Sequence, residues 1–256
     1  MKNKLNNELA VCGFAAVKSL EKKNPERITR LYFSAEKAPF FGGLCKKLAA
    51  RKAPYNQVKD VQELEKLSGT VHHQGVVAMI ESPQIVRLNT DIVDEWIKKS
   101  QNALLLDRVG NANNLGAIVR SAAFFGMKNI VIPEDEAQSS ITTSSYRVAE
   151  GGMEFVSVYS IKSIPALLEA VKGKMARIGT AVDAKTPLSK LRALCAGKPA
   201  LIILGNEEHG ISASVKSECD ELVVIPSDGD WAGHAAPVES LNVAQAASVI
   251  LYELNR

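Results

Sequence analysis

From residue 102 onwards, short apolar runs alternate with stretches that have the pattern of helices. The apolar runs are NALLLDRV (102–109), NIVIP (129–133), ARIGTAV (176–182), PALIILG (199–205) and ELVVIP (221–226). Near-continuous apolar strands separated by helices are typical of a parallel sheet that is covered on both faces. The sequence therefore predicts an α/β fold with a parallel sheet. Because ligands of such sheets bind at the carboxyl ends of the strands, the turns after these runs are the first candidates for a functional site.

The first 82 residues predict a second, smaller α/β domain. Its predicted elements are, in order, a helix over 4–20, a strand over 28–33, a helix over 41–51, a short helix from Asp60 to Gly69 and a strand over 75–81. Residues 83–101 are predicted to be a linker that contains a short helix with Thr90 as its N-cap. The predicted domains are thus 1–82 and 102–256.

Charge is spread unevenly along the chain. Residues 1–90 contain 15 Lys and Arg against 8 Asp and Glu, whereas residues 101–256 contain 14 against 17. A basic first third favours contact with a polyanion such as RNA, although a lysine-rich solvated surface would give the same counts. Within the basic third, residues 37–59 have six basic residues and no acidic ones.

The segment 37–59 also carries aromatic residues among its basic ones. Basic groups can pair with phosphates and exposed aromatic rings can stack on bases, so this segment is the candidate RNA-binding face. The alternative is that Phe40 and Phe41 lie in the core, and we expect that for the aromatic residues. The predicted RNA contacts are therefore the basic residues Lys46, Lys47, Arg51 and Lys52.

The sequence argues against a membrane-spanning, a secreted or a metal-binding protein. No apolar run is long enough to cross a bilayer, and the first ten residues have no apolar core of a secretory signal. The four cysteines lie far apart without a C-x-x-C pair, and the four histidines have no metal-ligand spacing with them. We expect a cytoplasmic protein with reduced thiols, no metal and no membrane partner.

The turn after the first run of the parallel region contains Asn114 and, six residues later, Arg120. Asn114 lies near a predicted helix N-terminus, where free N–H groups and the helix dipole favour anions. Nearly two helical turns return Arg120 to the same side of the helix. The alternative is an Asn that caps the helix and an Arg that is bonded to an acidic neighbour.

Two further turns have similar features. LGNEEHGIS (204–212) runs from a strand into an acidic turn bracketed by glycines, and Gly205 would let a flat ligand approach the backbone. Ile225-Pro226 is followed by SLNVA (240–244), in which Ser240 is predicted to cap the final helix. The alternatives are a turn capped by Ser212 and a simple cap with a hydrogen-bonded Asn242.

Taken together, the three turns resemble the SpoU/TrmH family of the SPOUT methyltransferase superfamily. That family shows N-x-x-x-x-x-R, then G-x-E-x-x-G, then I-P followed by S-x-N-V, and all three patterns occur here in that order. This resemblance covers about residues 102–256. The first part is also similar to the family's RNA-binding N-terminal domain, through Gly13 and Val17 and through the HQG segment within 68–78.

The resemblance implies an enzyme that transfers a methyl group from S-adenosylmethionine to a ribose 2′-hydroxyl of ribosomal or transfer RNA. The separate N-terminal domain favours ribosomal RNA. The resemblance also implies a deep trefoil knot in the C-terminal sheet domain, and a homodimer through that domain with an active site shared across the interface. Direct methyl transfer would leave alignment and charge stabilisation as the main tasks of the protein.

The resemblance also assigns residues to the site. The family's catalytic positions match Asn114, Arg120, Glu207, Ser240 and Asn242. The cofactor would be held largely by backbone groups at Gly205, Ile225 and Leu241, with Thr180 and Ala181 lining the pocket. A guanidinium keeps its proton up to about pH 12, so we interpret Arg120 as a cation that orients a phosphate and stabilises the developing 2′-oxyanion, rather than as a general base.

Two departures from the family pattern leave an alternative open. The loop 227–239 is longer than usual and is interpreted either as a lid or as an inert surface loop. Ala244 stands where the family commonly has serine, which removes a hydroxyl near the cofactor. The alternative function is therefore a catalytically weak or inactive RNA-binding protein that has kept the fold.

Overall fold

The structure is a computed structural model that describes residues 2–3, 7–206, 208–227, 238 and 240–256. Its contacts divide the chain into two compact units. Unit 1 consists of Met1–Gln84 and Ser140–Phe155, and unit 2 consists of Ile85–Ser139 and Val156–Arg256. Each helix in the described part of the chain is too short or too polar to cross a lipid bilayer.

Thirteen strands are found among the described residues. They are β1 (Lys2–Asn3), β2 (Glu8–Cys12), β3 (Ile28–Phe33), β4 (Tyr55–Gln57), β5 (Val76–Glu81), β6 (Val86–Arg87), β7 (Ala103–Leu106), β8 (Asn129–Pro133), β9 (Ser157–Ile161), β10 (Ala176–Thr180), β11 (Thr186–Pro187), β12 (Ala200–Leu204) and β13 (Glu221–Val224).

Ten α-helices are found in the same parts of the chain. They are α1 (Phe14–Lys23), α2 (Gly42–Ala50), α3 (Val61–Ser68), α4 (Thr90–Lys98), α5 (Ala112–Phe124), α6 (Thr143–Ala149), α7 (Ile164–Ala170), α8 (Leu191–Cys195), α9 (Ala213–Lys216) and α10 (Val243–Asn255). Short 3-10 turns lie at Pro25–Arg27, Ala35–Phe40, Gly152–Glu154 and Leu188–Lys190.

Unit 1 is built on a five-stranded sheet with the order β1-β2-β5-β3-β4. Its pairs are antiparallel except for the parallel pair of β3 and β4. The later segment Ser140–Phe155 joins this unit because α6 packs against β2. Arg27 fixes that segment further, since its guanidinium donates to Tyr146 Oη at 2.9 Å and to Glu154 Oε2 at 3.1 Å.

Unit 2 is built on an eight-stranded sheet with the order β11-β13-β10-β12-β7-β8-β9-β6, in which every pair is parallel. The central strands β7 and β12 are buried along their whole length, because helices cover both faces of a parallel sheet. Next to them, the pairing of β10 with β13 is fixed by Asp220. Its carboxylate accepts the backbone N–H of Arg177 at 2.9 Å, and the Arg177 guanidinium holds the pKa of that carboxyl below its usual value.

The predicted α/β fold with a parallel sheet is confirmed, and the five apolar runs of the region from 102 onwards form β7, β8, β10, β12 and β13. The trefoil knot stays a prediction. In unit 1 the predicted strands over 28–33 and 75–81 correspond to β3 and β5, and the helix between Asp60 and Gly69 corresponds to α3.

The predicted helix over 4–20 is wrong for residues 8–12. Residues 8–12 form β2 instead, and the helix begins only at Phe14. Gly13 separates the two elements with φ of 99°, a conformation that L side chains rarely adopt. The five residues of β2 are buried next to β5, so tertiary pairing decided their conformation.

The predicted linker contains elements that pack in unit 2. Strand β6 pairs with β9, and α4 buries Val93 and Trp96 in the core of the unit, where the Trp96 ring lies 5.4 Å from that of Tyr159. Asn89, not Thr90, is the N-cap of α4, because its side chain accepts the N–H of Ile92. The boundaries of independently folding domains at 82 and 102 stay a prediction.

Replacement of Trp96 tests whether α4 belongs to the core of unit 2 or acts as a linker. Trp96→Ala should lower the free energy of unfolding by about 3–5 kcal/mol, because it removes a large buried side chain. Glu95→Ala, at an exposed position on the same helix, should change it by less than about 0.5 kcal/mol. Urea unfolding followed by circular dichroism measures both, and equal effects would contradict the packing.

Candidate active site

The candidate site lies at the carboxyl edge of the parallel sheet of unit 2. Strands β13, β10, β12 and β7 are neighbours in that order, and all of them run in the same direction. The turns that follow these strands therefore lie side by side at one edge. The three turns singled out in the sequence follow β7, β12 and β13. Thr180 is the last residue of β10 and Ala181 follows it, and β10 lies between β12 and β13.

Asp107 connects the turn after β7 to the turn after β12. Its side chain is buried, and Oδ2 accepts the backbone N–H of Ser212 at 2.9 Å, while its own N–H donates to the carbonyl of Leu204 at 2.7 Å. Oδ1 accepts a hydrogen bond from Nε of Arg108 at 3.0 Å. A buried carboxylate that is satisfied by these groups stabilises the relative position of the two turns.

The turn after β12 is closed by Asn206 and Gly210, whose backbones exchange hydrogen bonds of 3.1 and 2.8 Å. Asn206 Oδ1 accepts the N–H groups of Glu208 and His209, and Nδ2 donates to the carbonyl of Arg108 at 2.9 Å. A Cβ at Gly205 would lie 2.1 Å from the carbonyl carbon of Gly210, so only glycine fits here. The space next to Gly205 is thus filled by the backbone of Gly210 and Ile211.

Helices α5 and α10 bring the first and third turns together. Asn114 is the third residue of α5, and Asn242 is the N-cap of α10, where its Oδ1 accepts the N–H of Ala244 at 2.9 Å. Asn242 Nδ2 also donates to Asn114 Oδ1 at 3.2 Å. Further along the same two helices, the hydroxyls of Ser121 and Ser248 are 2.7 Å apart. The two asparagines of the predicted site are therefore in direct contact.

The segment after β10 lies between the ends of β12 and β13. Thr180 Oγ1 donates to the carbonyl of Ile203 at 3.1 Å, and the N–H of Ala181 donates to the carbonyl of Val223 at 3.0 Å. Lys216 on α9 hydrogen-bonds to the carboxylate of Asp183 at 3.0 Å, which holds the pKa of that carboxyl below its usual value. These contacts hold the segment next to both neighbouring turns.

The other predicted site residues vary in exposure. Arg120 and Ser240 are exposed, Leu241 is 44% exposed and Ile225 is half-buried at the end of β13. The prediction that Ser240 caps the final helix is wrong, because Asn242 has that position. Ser212 stands at the N-cap of α9 without a capping bond from its side chain. The site assignments themselves stay predictions.

Two of the sequence predictions fall wholly or largely on positions that the structure leaves undescribed. Glu207, the predicted catalytic carboxylate, is one of them. The long loop predicted as a lid or an inert loop spans 227–239, of which only Ser227 and Val238 are among the described residues. Among the described residues, no group of three or more His, Cys, Asp or Glu side chains has the arrangement of a metal site.

Two positioning residues were missed by the sequence reasoning. Asp107 ends the apolar run of β7 directly, and a carboxylate at a strand end was a signal that could have found it. Gln138 had no such signal, because it lies in an irregular segment. Its buried amide accepts the N–H of Val109 and donates to the carbonyl of the same residue, both at 2.9 Å, and so fixes the loop that precedes α5.

The predicted RNA contacts lie in unit 1. Lys46, Lys47 and Lys52 are exposed, in or just after α2. Arg51 differs, since its guanidinium donates to the backbone carbonyls of Pro25, Glu26 and Ile28 and so has a structural task. The expectation that the neighbouring aromatic residues are core is correct for Phe41, which is fully buried, and wrong for Phe40, which is 53% exposed.

Comparison with known proteins gives consistent matches to both parts of the chain. The model of the SpoU rRNA Methylase family matches residues 101–252, and the model described as RNA 2′-O ribose methyltransferase substrate binding matches residues 10–86. The 23S rRNA (guanosine-2′-O-)-methyltransferase RlmB of Acinetobacter baylyi is 32% identical over 252 residues, which is 95% of each chain. RlmB of Nitrosomonas europaea is 28% identical over 96% of this chain and 90% of its own.

A solved structure supports the fold. The SpoU methyltransferase AviRb of Streptomyces viridochromogenes, in complex with the cofactor AdoMet, is similar with a TM-score of 0.73 and 22% identity. The match covers 100% of this chain and 93% of that one. At this identity the likeness concerns the fold alone.

Replacement of Gly205 tests the close packing of the turn after β12. Gly205→Ala should lower the free energy of unfolding by about 1–3 kcal/mol, because the new Cβ collides with backbone that no rotamer change can move. Gly43→Ala is the matched control, since nothing lies within 4 Å of a Cβ there. Thermal unfolding measures both, and a Gly205→Ala protein as stable as the control would contradict the turn geometry.

Proposed function

Since the chain belongs to the SpoU rRNA methylase family, we propose that this site transfers the methyl group of S-adenosylmethionine to a ribose 2′-hydroxyl of ribosomal RNA. The observation that carries the proposal is the hydrogen bond between Asn114 and Asn242, which joins the first and third turns beside the second. Ribosomal RNA is the preferred substrate because the relatives named RlmB are 23S rRNA methyltransferases.

The residues at the carboxyl edge fit a methyl donor that has a flat adenine ring and polar ends. Leu241 is 44% exposed and Ile225 is half-buried, so both can offer apolar surface to a ring. Gly205 and Ala181 directly follow β12 and β10, and Thr180 is the last residue of β10, so all three lie at the same edge of the sheet. S-adenosylmethionine, when bound, supplies a methyl group that is already activated by its sulfonium.

The side chains have the tasks of orienting the ribose and stabilising charge. The guanidinium of Arg120 is assigned as the cation that orients a phosphate and stabilises the developing 2′-oxyanion. Asn242 Nδ2 carries two N–H groups, and one donates to Asn114 Oδ1 while the other can donate to the ribose. Glu207 and Ser240 are proposed to position the hydroxyl.

The basic face of unit 1 is proposed to bind the RNA through Lys46, Lys47 and Lys52, which are exposed.

We place the protein in the cytoplasm, where ribosomal RNA is found. All four cysteines are free thiols, and burial raises the pKa of Cys12 and Cys219 to about 11, so these two stay protonated at neutral pH.

A homodimer is proposed through the faces of α5 and α10. Phe124 is 83% exposed and Tyr252 is 59% exposed, and the ring of Phe125 lies 5.1 Å from the first and 6.4 Å from the second. A continuous aromatic surface of this kind favours contact with a partner. Because α5 also carries Asn114 and Arg120, a partner on this surface would lie close to residues of the site.

Replacement of Arg120 tests the methyl transfer. Arg120→Ala should reduce transfer of labelled methyl from S-adenosylmethionine to ribosomal RNA by at least about 100-fold, because it removes the charge that stabilises the oxyanion. Cofactor affinity, measured by calorimetry, should change little. Arg192→Ala, at an exposed position on α8, is the control and should retain full activity.

The outcomes of this assay separate the two functions. Wild-type turnover in Arg120→Ala would contradict its catalytic role. A wild-type protein that binds RNA but neither binds S-adenosylmethionine nor methylates RNA would instead favour the non-catalytic RNA-binding protein. Resistance of the modified linkage to alkaline hydrolysis identifies ribose methylation and separates it from methylation of a base.

Replacement of Phe124 tests the proposed homodimer. Phe124→Glu should shift the protein from dimer to monomer in analytical ultracentrifugation, because it places a charge in the centre of the aromatic surface. Val61→Glu is the control, since Val61 is 50% exposed on α3 in the other unit and should leave the dimer intact. A monomeric wild-type protein, or a Phe124→Glu dimer of unchanged stability, would contradict this interface.

A further inference from the structure

An exposed aromatic cluster in unit 1 is unexplained by the packing of the core. Phe40 ends the 3-10 turn Ala35–Phe40, and 53% of it is exposed. Its ring lies 5.2 Å from that of Phe14, at an angle of 81°. Phe14 in turn lies 5.9 Å from the fully buried ring of Phe41, so the exposed ring stands on a rigid base. A large apolar ring held in solvent in this way has a face available for contact.

Two lysines lie next to the aromatic cluster. Lys37 Nζ lies 5.2 Å from the centre of the Phe14 ring and 6.0 Å from that of Phe40. Lys18 Nζ donates to the carbonyl of Phe40 at 3.1 Å and lies 5.2 Å from the centre of the Phe41 ring. We call Phe14, Phe40, Lys18 and Lys37 the Phe40 platform. It combines a flat apolar face with the positive charge of Lys37, whereas the charge of Lys18 is paired with Glu21.

The Phe40 platform continues at Lys18 into a shallow depression of about 540 Å³. This depression is lined by Lys18, Ser19, Glu21, Lys22 and Lys47. Glu21 forms an ion pair with Lys18, but Lys22 and Lys47 add further positive charge. The surface beside the exposed ring is therefore complementary to a chain of phosphates, and this favours a nucleic acid over an apolar protein segment.

We propose that Phe40 is a stacking platform for an unpaired base of the RNA substrate, with Lys37 contacting an adjacent phosphate. The inference rests on the proposed function, because its ligand is the RNA on which the site acts. Proteins recognise single-stranded RNA by stacking exposed bases on aromatic side chains, while paired bases are shielded within the helix. The platform thus selects a loop or bulge and not a duplex.

The test compares RNA binding by Phe40 variants of the full chain. The probes are a labelled single-stranded RNA of about 12 nucleotides and a duplex of the same sequence. Phe40→Ala and Phe40→Leu should weaken binding of the single strand by at least about fivefold, because neither side chain stacks on a base. Binding of the duplex should not change, and Phe40→Tyr should restore the affinity for the single strand.

The salt dependence separates stacking from charge. Phe40→Ala should leave the slope of log affinity against log salt concentration unchanged, since the ring contacts no phosphate. Lys37→Gln should lower that slope by about one, because one phosphate contact is lost. A single strand that carries 5-iodouridine should also crosslink to the peptide with Phe40 in the wild-type protein.

Phe155 is the matched control. It lies in the same unit, is 47% exposed and has Lys23 Nζ 4.9 Å from the centre of its ring. Phe155→Ala should bind both RNAs as the wild type does, and thermal unfolding verifies that each variant is folded. Unchanged single-strand affinity in Phe40→Ala, or an equal loss in Phe155→Ala, would overturn the proposal. Methyl transfer by the wild-type protein is measured separately, so failure of the platform is distinguishable from failure of the proposed function.

Discussion

The candidate site depends on the parallel pairing of β13, β10, β12 and β7. Because these four neighbours run in one direction, their carboxyl ends lie at one edge of the sheet. The pairing of β12 with β7 aligns Leu204 with Leu106, so Gly205 and Asp107 leave the sheet at the same level. The register of the sheet thereby determines which backbone groups of the two turns lie level with each other.

Polar side chains then fix the turns at that edge relative to one another. Asp107 accepts the N–H of Ser212, and Asn206 donates to the carbonyl of Arg108, so the turns after β7 and β12 are connected twice. The contact of Asn242 with Asn114 connects the start of α10 to α5. Each of these bonds joins segments about a hundred residues or more apart, so each depends on the completed sheet.

Much of the fold could be predicted because local pattern and tertiary environment agree. Strands β7 and β12 of unit 2 are apolar runs. Helix α3 begins after Asp60, whose side chain caps it, and ends at Gly69 in the left-handed conformation, as expected. The errors occurred where packing overrode a local pattern. Residues 8–12 pair with β5 although the spacing of their apolar side chains suits a helix. The N-cap of α10 is Asn242 and not Ser240.

The sequence by itself determined the order of the motifs, the residue types at the strand ends and the family to which the chain belongs. Only the tertiary structure decided that Arg51 binds backbone carbonyls while Phe40 stands in solvent. It also decided that Asp107 and Gln138 hold the loop and turns that follow β7 and β12. The physical reason is that exposure and hydrogen-bond partners depend on segments distant along the chain, whereas strand and helix patterns are local.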